Sequence, residues 1–213
     1  MSLKSFKNVF ILSPHTDDGE LGAGGTISKL NQLGANIFYF AFSTAEKSVP
    51  KGFEANILKT EVMHATKKLG IPKENVCLYN YEVRKLNYFR QEILESLIYH
   101  REKIYPDLVL MPTLNDIHQD HETISKEGLR AFKNTTILGY ELIWNNLNFN
   151  TTSYVELDEK NIKQKIDALK EYKSQANKDY FNPNFIRALA KTRGTQFGTN
   201  YAECFEVVRW KIK

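Results

Sequence analysis

Along the first two thirds of this chain, short runs rich in β-branched and aromatic residues alternate with longer segments whose apolar residues recur every three or four positions. Asn8 to Ser13 (NVFILS), Asn36 to Phe42 (NIFYFAF), Val76 to Tyr79 and Asp107 to Met111 (DLVLM) read as buried strands. Between them, helices are expected over Thr26 to Leu33, along the face formed by Leu58, Val62, Ala65 and Leu69, and over Phe89 to Ile104; another follows over Glu122 to Phe132. Gly34 and Pro106 are suitable stops. Strands that are apolar on both faces and separated by helix-length connections pair in parallel, because a parallel connection needs a crossover, and the crossovers cover the sheet. The expected fold is α/β: a Rossmann-like, mostly parallel sheet with helices on both faces.

Beyond Thr136 the pattern changes. TILGYELIW and SYVEL read as strands, Asn161 to Ser174 and Pro183 to Thr192 as helices, RGTQFGTN as a loop and Ala202 to Trp210 as a last strand, so a C-terminal β/α segment extends the sheet. No repeat, low-complexity tract or linker interrupts the chain. Its 213 residues, 42% of them hydrophobic, suffice for one core, and residues 1–213 read as a single domain. The net charge of +4 is scattered rather than gathered into a basic block, so nucleic acid is not an expected partner. Cys77 and Cys204 are too few for a disulfide scaffold and too isolated for a thiolate metal site. The amino-terminal apolar run is too short for a signal peptide or a membrane span, and a cytoplasmic location is expected. Self-association is left open.

In open α/β sheets, ligands sit beyond the carboxyl ends of the strands. Two polar segments fall there, SPHTDDGELGAGGTI at 13–27 and TLNDIHQDH at 113–121. The first could cradle a nucleotide, hold a metal, or be a polar turn. The dinucleotide fingerprint G-x-G-x-x-G fails, because Ile27 stands where the third glycine belongs, and no Gly-Lys-Ser/Thr follows for a P-loop. The glycines are therefore expected to shape a tight turn that brings backbone amides to the helix start. The metal reading fares better. His15 and Asp18 are three apart after one strand, and His118 and His121 repeat that spacing after another. Zinc commonly takes three nitrogen or oxygen ligands and leaves a position for water; ferrous iron is compatible with the same set. Four groups for three places leave one histidine over, and Asp17 beside Asp18 leaves one carboxylate over, as an acid and a base for hydrolysis require.

His15-Thr16-Asp17-Asp18 with Glu20, Gly22, Gly24, Gly25 and Thr26, followed by Asn115-Asp116-Ile117-His118-Gln119-Asp120-His121, resembles the PIG-L/LmbE-like zinc de-N-acetylase family. The resemblance extends through Glu61, Ala65 and Leu69-Gly70 to Pro106-Asp107-Leu108-Val109 and Tyr201-Ala202-Glu203-Cys204-Phe205. It implies removal of the acetyl group from an N-acetylated amino sugar, free, nucleotide-linked or glycan-linked. It makes His15, Asp18 and His121 zinc ligands and Asp17 the general base. A protonated His118 would stabilise the tetrahedral intermediate, Asp120 would orient His118, and either Asp17 or His118 would deliver the proton that the leaving amine needs. Thr16 and Gly19 stand where the family often has proline and glutamate, and Leu58 where a basic residue is common. Lys59, Arg84 and Arg193 are candidates to replace that basic residue. Arg84, Arg193 and Glu203 are candidate substrate contacts, and Trp144, Tyr140 and Phe149 are candidate walls for a sugar ring. An amidase acting on a non-sugar N-acylated metabolite is the alternative enzyme, and a non-catalytic metal-binding protein the alternative class.

Overall fold

A computed structural model describes residues 3–212. Seven strands form one sheet in the order β3-β2-β1-β4-β5-β7-β6. They are β1 Asn8–Ser13, β2 Asn36–Ala41, β3 Val76–Leu78, β4 Leu108–Pro112, β5 Thr136–Tyr140, β6 Ser153–Leu157 and β7 Tyr201–Arg209. Strands β1 to β5 pair in parallel, while β7 runs antiparallel to both β5 and β6. The parallel α/β sheet and its C-terminal extension are thus as expected.

Period-two alternation divides the strand residues between two layers. Val9, Ile11, Ile37 and Tyr39 pack on one face under α1 (Asp18–Gln32), α2 (Ile57–Lys68) and α5 (Glu159–Leu169). Phe10, Leu12, Phe40 and Phe42 pack on the other under α3 (Arg90–Ile104) and α4 (Gln119–Ala131). The chain leaves β1 towards β2 and β3 on one side, then returns to place β4 on the other side of β1. Sheet order therefore reverses between β1 and β4, and the loops that leave these two strands open onto one crevice.

The glycine cluster is not a turn. Helix α1 starts at Asp18 and runs through Gly22, Gly24 and Gly25, although each glycine costs about 1 kcal/mol relative to alanine in a helix interior. Packing explains them. A Cβ on Gly22 would strike the Tyr140 ring, one on Gly24 would lie 2.9 Å from Lys165 Cγ, and one on Gly25 would meet Leu157 and Glu203. Tyr140 is fully buried and donates to the Leu12 carbonyl at 2.9 Å, so it belongs to the core and forms no sugar wall. Gly22→Ala is expected to destabilise the fold by about 2 kcal/mol despite the better helix propensity, read as a lower denaturant midpoint at unchanged slope.

Three further boundaries differ from expectation. Strand β5 ends at Tyr140, releasing residues 141–144 towards the crevice, and α5 stops at Leu169 instead of Ser174. Helix α6 spans Pro183–Phe197, taking in the first five residues of the segment read as a loop, and ends on Gly198 at φ 81°. Among the described residues no helix is long and apolar enough to cross a membrane.

Candidate metal centre and its cleft

His15 and Asp18 come from the loop after β1 and the first turn of α1, His118 and His121 from the start of α4 after β4. The reversal of strand order brings these segments, about a hundred residues apart, into contact. His15 Nδ1 lies 3.1 Å from Asp18 Oδ2, His121 Nε2 lies 3.2 Å from the same oxygen, and the two nitrogens are 3.3 Å apart. Ligands 2.0–2.1 Å from a tetrahedral zinc are separated by about 3.3 Å, so the donor set and its spacing both fit that ion. His118 joins the two other histidines in a group whose ring nitrogens approach within 4.8 Å, a cluster able to hold a metal ion.

The outer nitrogens of both imidazoles are engaged by carboxylates. His15 Nε2 faces Asp120 Oδ2 at 2.9 Å, and His121 Nδ1 faces Asp116 Oδ2 at 2.8 Å. Each carboxylate needs a proton between itself and the ring, which directs the remaining lone pairs at Asp18 Oδ2. Three lone pairs converging at 3.1–3.3 Å repel unless a positive charge lies among them. With protons as the only source of that charge, burial opposes the charged imidazoles, but the Asp18 carboxylate outweighs it with help from the outer hydrogen bonds. His15 is raised to about 9 and His121 to about 10. Burial would raise Asp18, yet His121 and His15 hold it well below the carboxylate range.

The role expected of Asp120 changes. Its carboxylate serves His15 and also accepts the backbone N–H groups of Arg84 (2.6 Å) and Leu86 (3.2 Å). Only its own backbone amide meets His118, donating to Nδ1 at 3.1 Å. Because Nδ1 accepts that bond, His118 is the Nε2–H tautomer. Burial and the charges on His121 and His15 lower it to about 4, so it faces the cleft neutral, not as an imidazolium. Asp116, quoted in the second motif without a role, supports His121 and also caps the His118 amide at 2.9 Å. Asp116→Asn is expected to weaken zinc binding about 10–100-fold, measured by competition with a chromophoric chelator.

Asp17 precedes α1 and lines the same cleft, of about 280 Å³, without joining the triangle. Burial, then the Asp18 charge, raise its carboxyl to about 6, against the pull of Lys178. Below Thr16, the buried Glu20 carboxyl accepts from Tyr39 and Tyr172, whose hydroxyls also reach the Thr16 carbonyl, pinning the loop from underneath. Burial raises Glu20 to about 8 despite those bonds.

Of the expected substrate contacts, only Arg84 lines this cleft. Arg193 lies elsewhere, because its guanidinium grips both oxygens of Glu141 and ties α6 to the end of β5. Glu203 is a core residue: it accepts the amides of Gly25 (2.9 Å) and Thr26 (2.6 Å) and pairs with Lys165 at 2.7 Å, while Lys165 donates to the Leu21 carbonyl. The pair thus inserts into the α1 ladder at the point where the glycines make room. Trp144 does reach the cleft, stacked on Tyr180 with ring centroids 4.0 Å apart.

Sequence reasoning missed Ser48, Gln175, Lys178 and Tyr180, which also line the cleft. The last three ride on the segment after α5, anchored where Glu61 accepts the Ser174 amide (2.9 Å) and hydroxyl (2.5 Å). Nothing in the local sequence marks that segment; Glu61 was the sole signal, as a buried carboxylate in a helical pattern.

The family described as PIG-L, GlcNAc-PI de-N-acetylase, matches residues 10–132, which include both motifs. The chain belongs to this family. It is 24% identical to diacetylchitobiose deacetylase of Thermococcus kodakarensis, over 92% of this chain and 81% of that protein. The N,N'-diacetylchitobiose deacetylase of Pyrococcus horikoshii, solved with an inhibitor, superposes with a TM-score of 0.79 at 22% identity, over 97% of this chain and 85% of that one. GalB, the 4-carboxy-2-hydroxymuconate hydratase of Pseudomonas putida KT2440, superposes with the same TM-score of 0.79 at 17% identity, over 97% and 98% of the two chains. One fold thus carries a deacetylase and a hydratase, and the reaction has to be argued from the residues in the cleft.

Proposed function

We propose that the protein hydrolyses the acetamide of an N-acetylated amino sugar at a zinc ion held by His15, Asp18 and His121. The observation that carries this reading is the closed triangle of donors with 3.1–3.3 Å edges, each imidazole backed by its own carboxylate. When bound, zinc supplies Lewis acidity, polarising the acetyl carbonyl and lowering the pKa of a water at the open position.

Asp17 takes a proton from the attacking water as the water oxygen bonds to the acetyl carbon. A carboxyl held near 6 is ionised at neutral pH yet basic enough for the task. The carbonyl electron pair moves onto oxygen, where the Nε2–H of neutral His118 donates a hydrogen bond. As the C–N bond breaks, the proton stored on Asp17 passes to the sugar nitrogen, giving acetic acid and a free amine, and the acid's remaining proton then passes to the amine to leave acetate and an ammonium group. His118, with its Nδ1 occupied and its Nε2–H already donated, is not the proton source. The half-buried Trp144, stacked on Tyr180 in the cleft wall, offers an apolar surface to the pyranose ring.

The test is an acetate-release screen of the zinc-loaded protein. N-acetyl sugars, their nucleotide diphosphate forms and unrelated acetamides serve as substrates, with Asp17→Asn as blank. Release from amino sugars in the wild type alone is expected. Release confined to non-sugar acetamides would replace this reading with that of a general amidase.

A further inference from the structure

Arg84 holds a left-handed backbone conformation, φ 68°, which residues other than glycine rarely adopt. The Asp120 carboxylate imposes it by accepting the amides of Arg84 and Leu86. Since Asp120 Oδ2 also receives His15 Nε2, the Arg84 main chain stands two hydrogen bonds from a member of the donor triangle. This clamp sets the Arg84 side chain in the cleft that His15, Asp17, Asp18 and His121 also line.

The guanidinium there has no carboxylate partner among the described residues. Its side-chain partner is neutral: Nη2 donates to Ser48 Oγ at 2.9 Å. The nearby Glu82 is already held by Lys47 at 2.8 Å and Lys85 at 2.7 Å. Among the described residues Arg90, Arg101, Arg130, Arg187 and Arg193 each pair with a carboxylate, whereas Arg84 and Arg209 do not, and Arg209 lies outside the cleft with the Lys133 carbonyl as its partner. Against the cost of burial, Lys178 in the same cleft is raised by the Asp17 and Asp18 charges. Ser48, which also lines the cleft, accepts from Arg84 and keeps its own O–H to donate.

We propose that Arg84 and Ser48 form a subsite for an anionic group, a phosphate or a carboxylate, carried by the amino sugar beside its acetamide-bearing ring; this rests on the reading of the cleft as a deacetylase site. A guanidinium fork meets such a group with two parallel N–H donors, and the serine hydroxyl supplies a third. A neutral hydroxyl would use one donor and leave the rest to water.

The experiment measures binding apart from turnover. Zinc-loaded protein carrying Asp17→Asn is titrated calorimetrically with methyl N-acetylglucosaminide, N-acetylglucosamine 1-phosphate and the N-acetylglucosaminide of glycolate; acetate release is followed in parallel with Asp17 intact. The anionic sugars are expected to bind about 10–100-fold more tightly than the methyl glycoside, with the gap narrowing as salt is raised. The phosphate and glycolate arms identify which anion is preferred. Arg84→Met should reduce the preference at least tenfold, Arg84→Lys should keep part of it, and a zinc content near one equivalent confirms that the clamp on His15 is intact. Equal binding of charged and neutral sugars, a preference indifferent to Arg84→Met and Ser48→Ala, or binding of none of the three overturns the subsite. Acetate release without an anionic preference would end this inference and spare the deacetylase reading. Arg84-dependent binding without release from any sugar would do the reverse.

Discussion

Asp17→Asn is expected to reduce turnover about 10³-fold while zinc stays bound near one equivalent. The substitution keeps size and hydrogen-bonding capacity but removes the one carboxylate in the cleft that is outside the donor triangle and raised to about 6. Acetate release and metal content are measured on the same preparation. Turnover within tenfold of wild type would remove Asp17 from the mechanism, and loss of zinc would make it a ligand.

His121→Ala is expected to leave less than about a tenth of an equivalent of zinc after gel filtration, because one of the three proposed ligands and the anchor on Asp116 go together. Unchanged zinc content would show that His15, Asp18 and His118 hold the ion without it. The same site sets a pH dependence. In the metal-free protein His15 and His121 are raised above the ordinary 6.5, to about 9 and 10, with burial opposing and Asp18 driving the shift. Their protonated pairing therefore stabilises the metal-free fold fully below about pH 6.5 and is lost as pH rises through 9 and 10. Zinc displaces those protons, so its affinity is expected to climb by up to about 100-fold per pH unit between 7 and 9, with proton release detectable in buffers of different ionisation enthalpy. A pH-independent affinity would contradict the arrangement.

Much of this was legible in the residues. Parallel strands leave a strong trace because burial on both faces makes each a continuous apolar run, and β1, β2, β4 and β5 stand near their expected positions. The spacing in HTDD and HQDH singled out donor pairs because short-range geometry ties residues three apart to a common direction. The glycine cluster misled for the opposite reason: its local preference argues for a turn, and the reasons for a helix, Tyr140, Lys165 and Leu157, are far away in sequence. Arg193 and Glu203 misled in the same way. A charge reads alike on a cleft wall and in a buried pair until its partner, Glu141 or Lys165, is in place.

The sequence by itself determined the α/β architecture, the two polar segments at strand ends and the choice of nitrogen and oxygen donors, all properties of periodicity and residue type within short windows. Tertiary structure alone decided the rest. The reversal between β1 and β4 closed the two halves into one triangle, Asp120 was turned from His118 to His15, and the segment after α5 was anchored over the cleft with Lys178 and Tyr180. These depend on contacts between residues dozens to more than a hundred positions apart, whose free energy comes from burial and hydrogen bonding across the sheet and leaves no periodic mark in the chain.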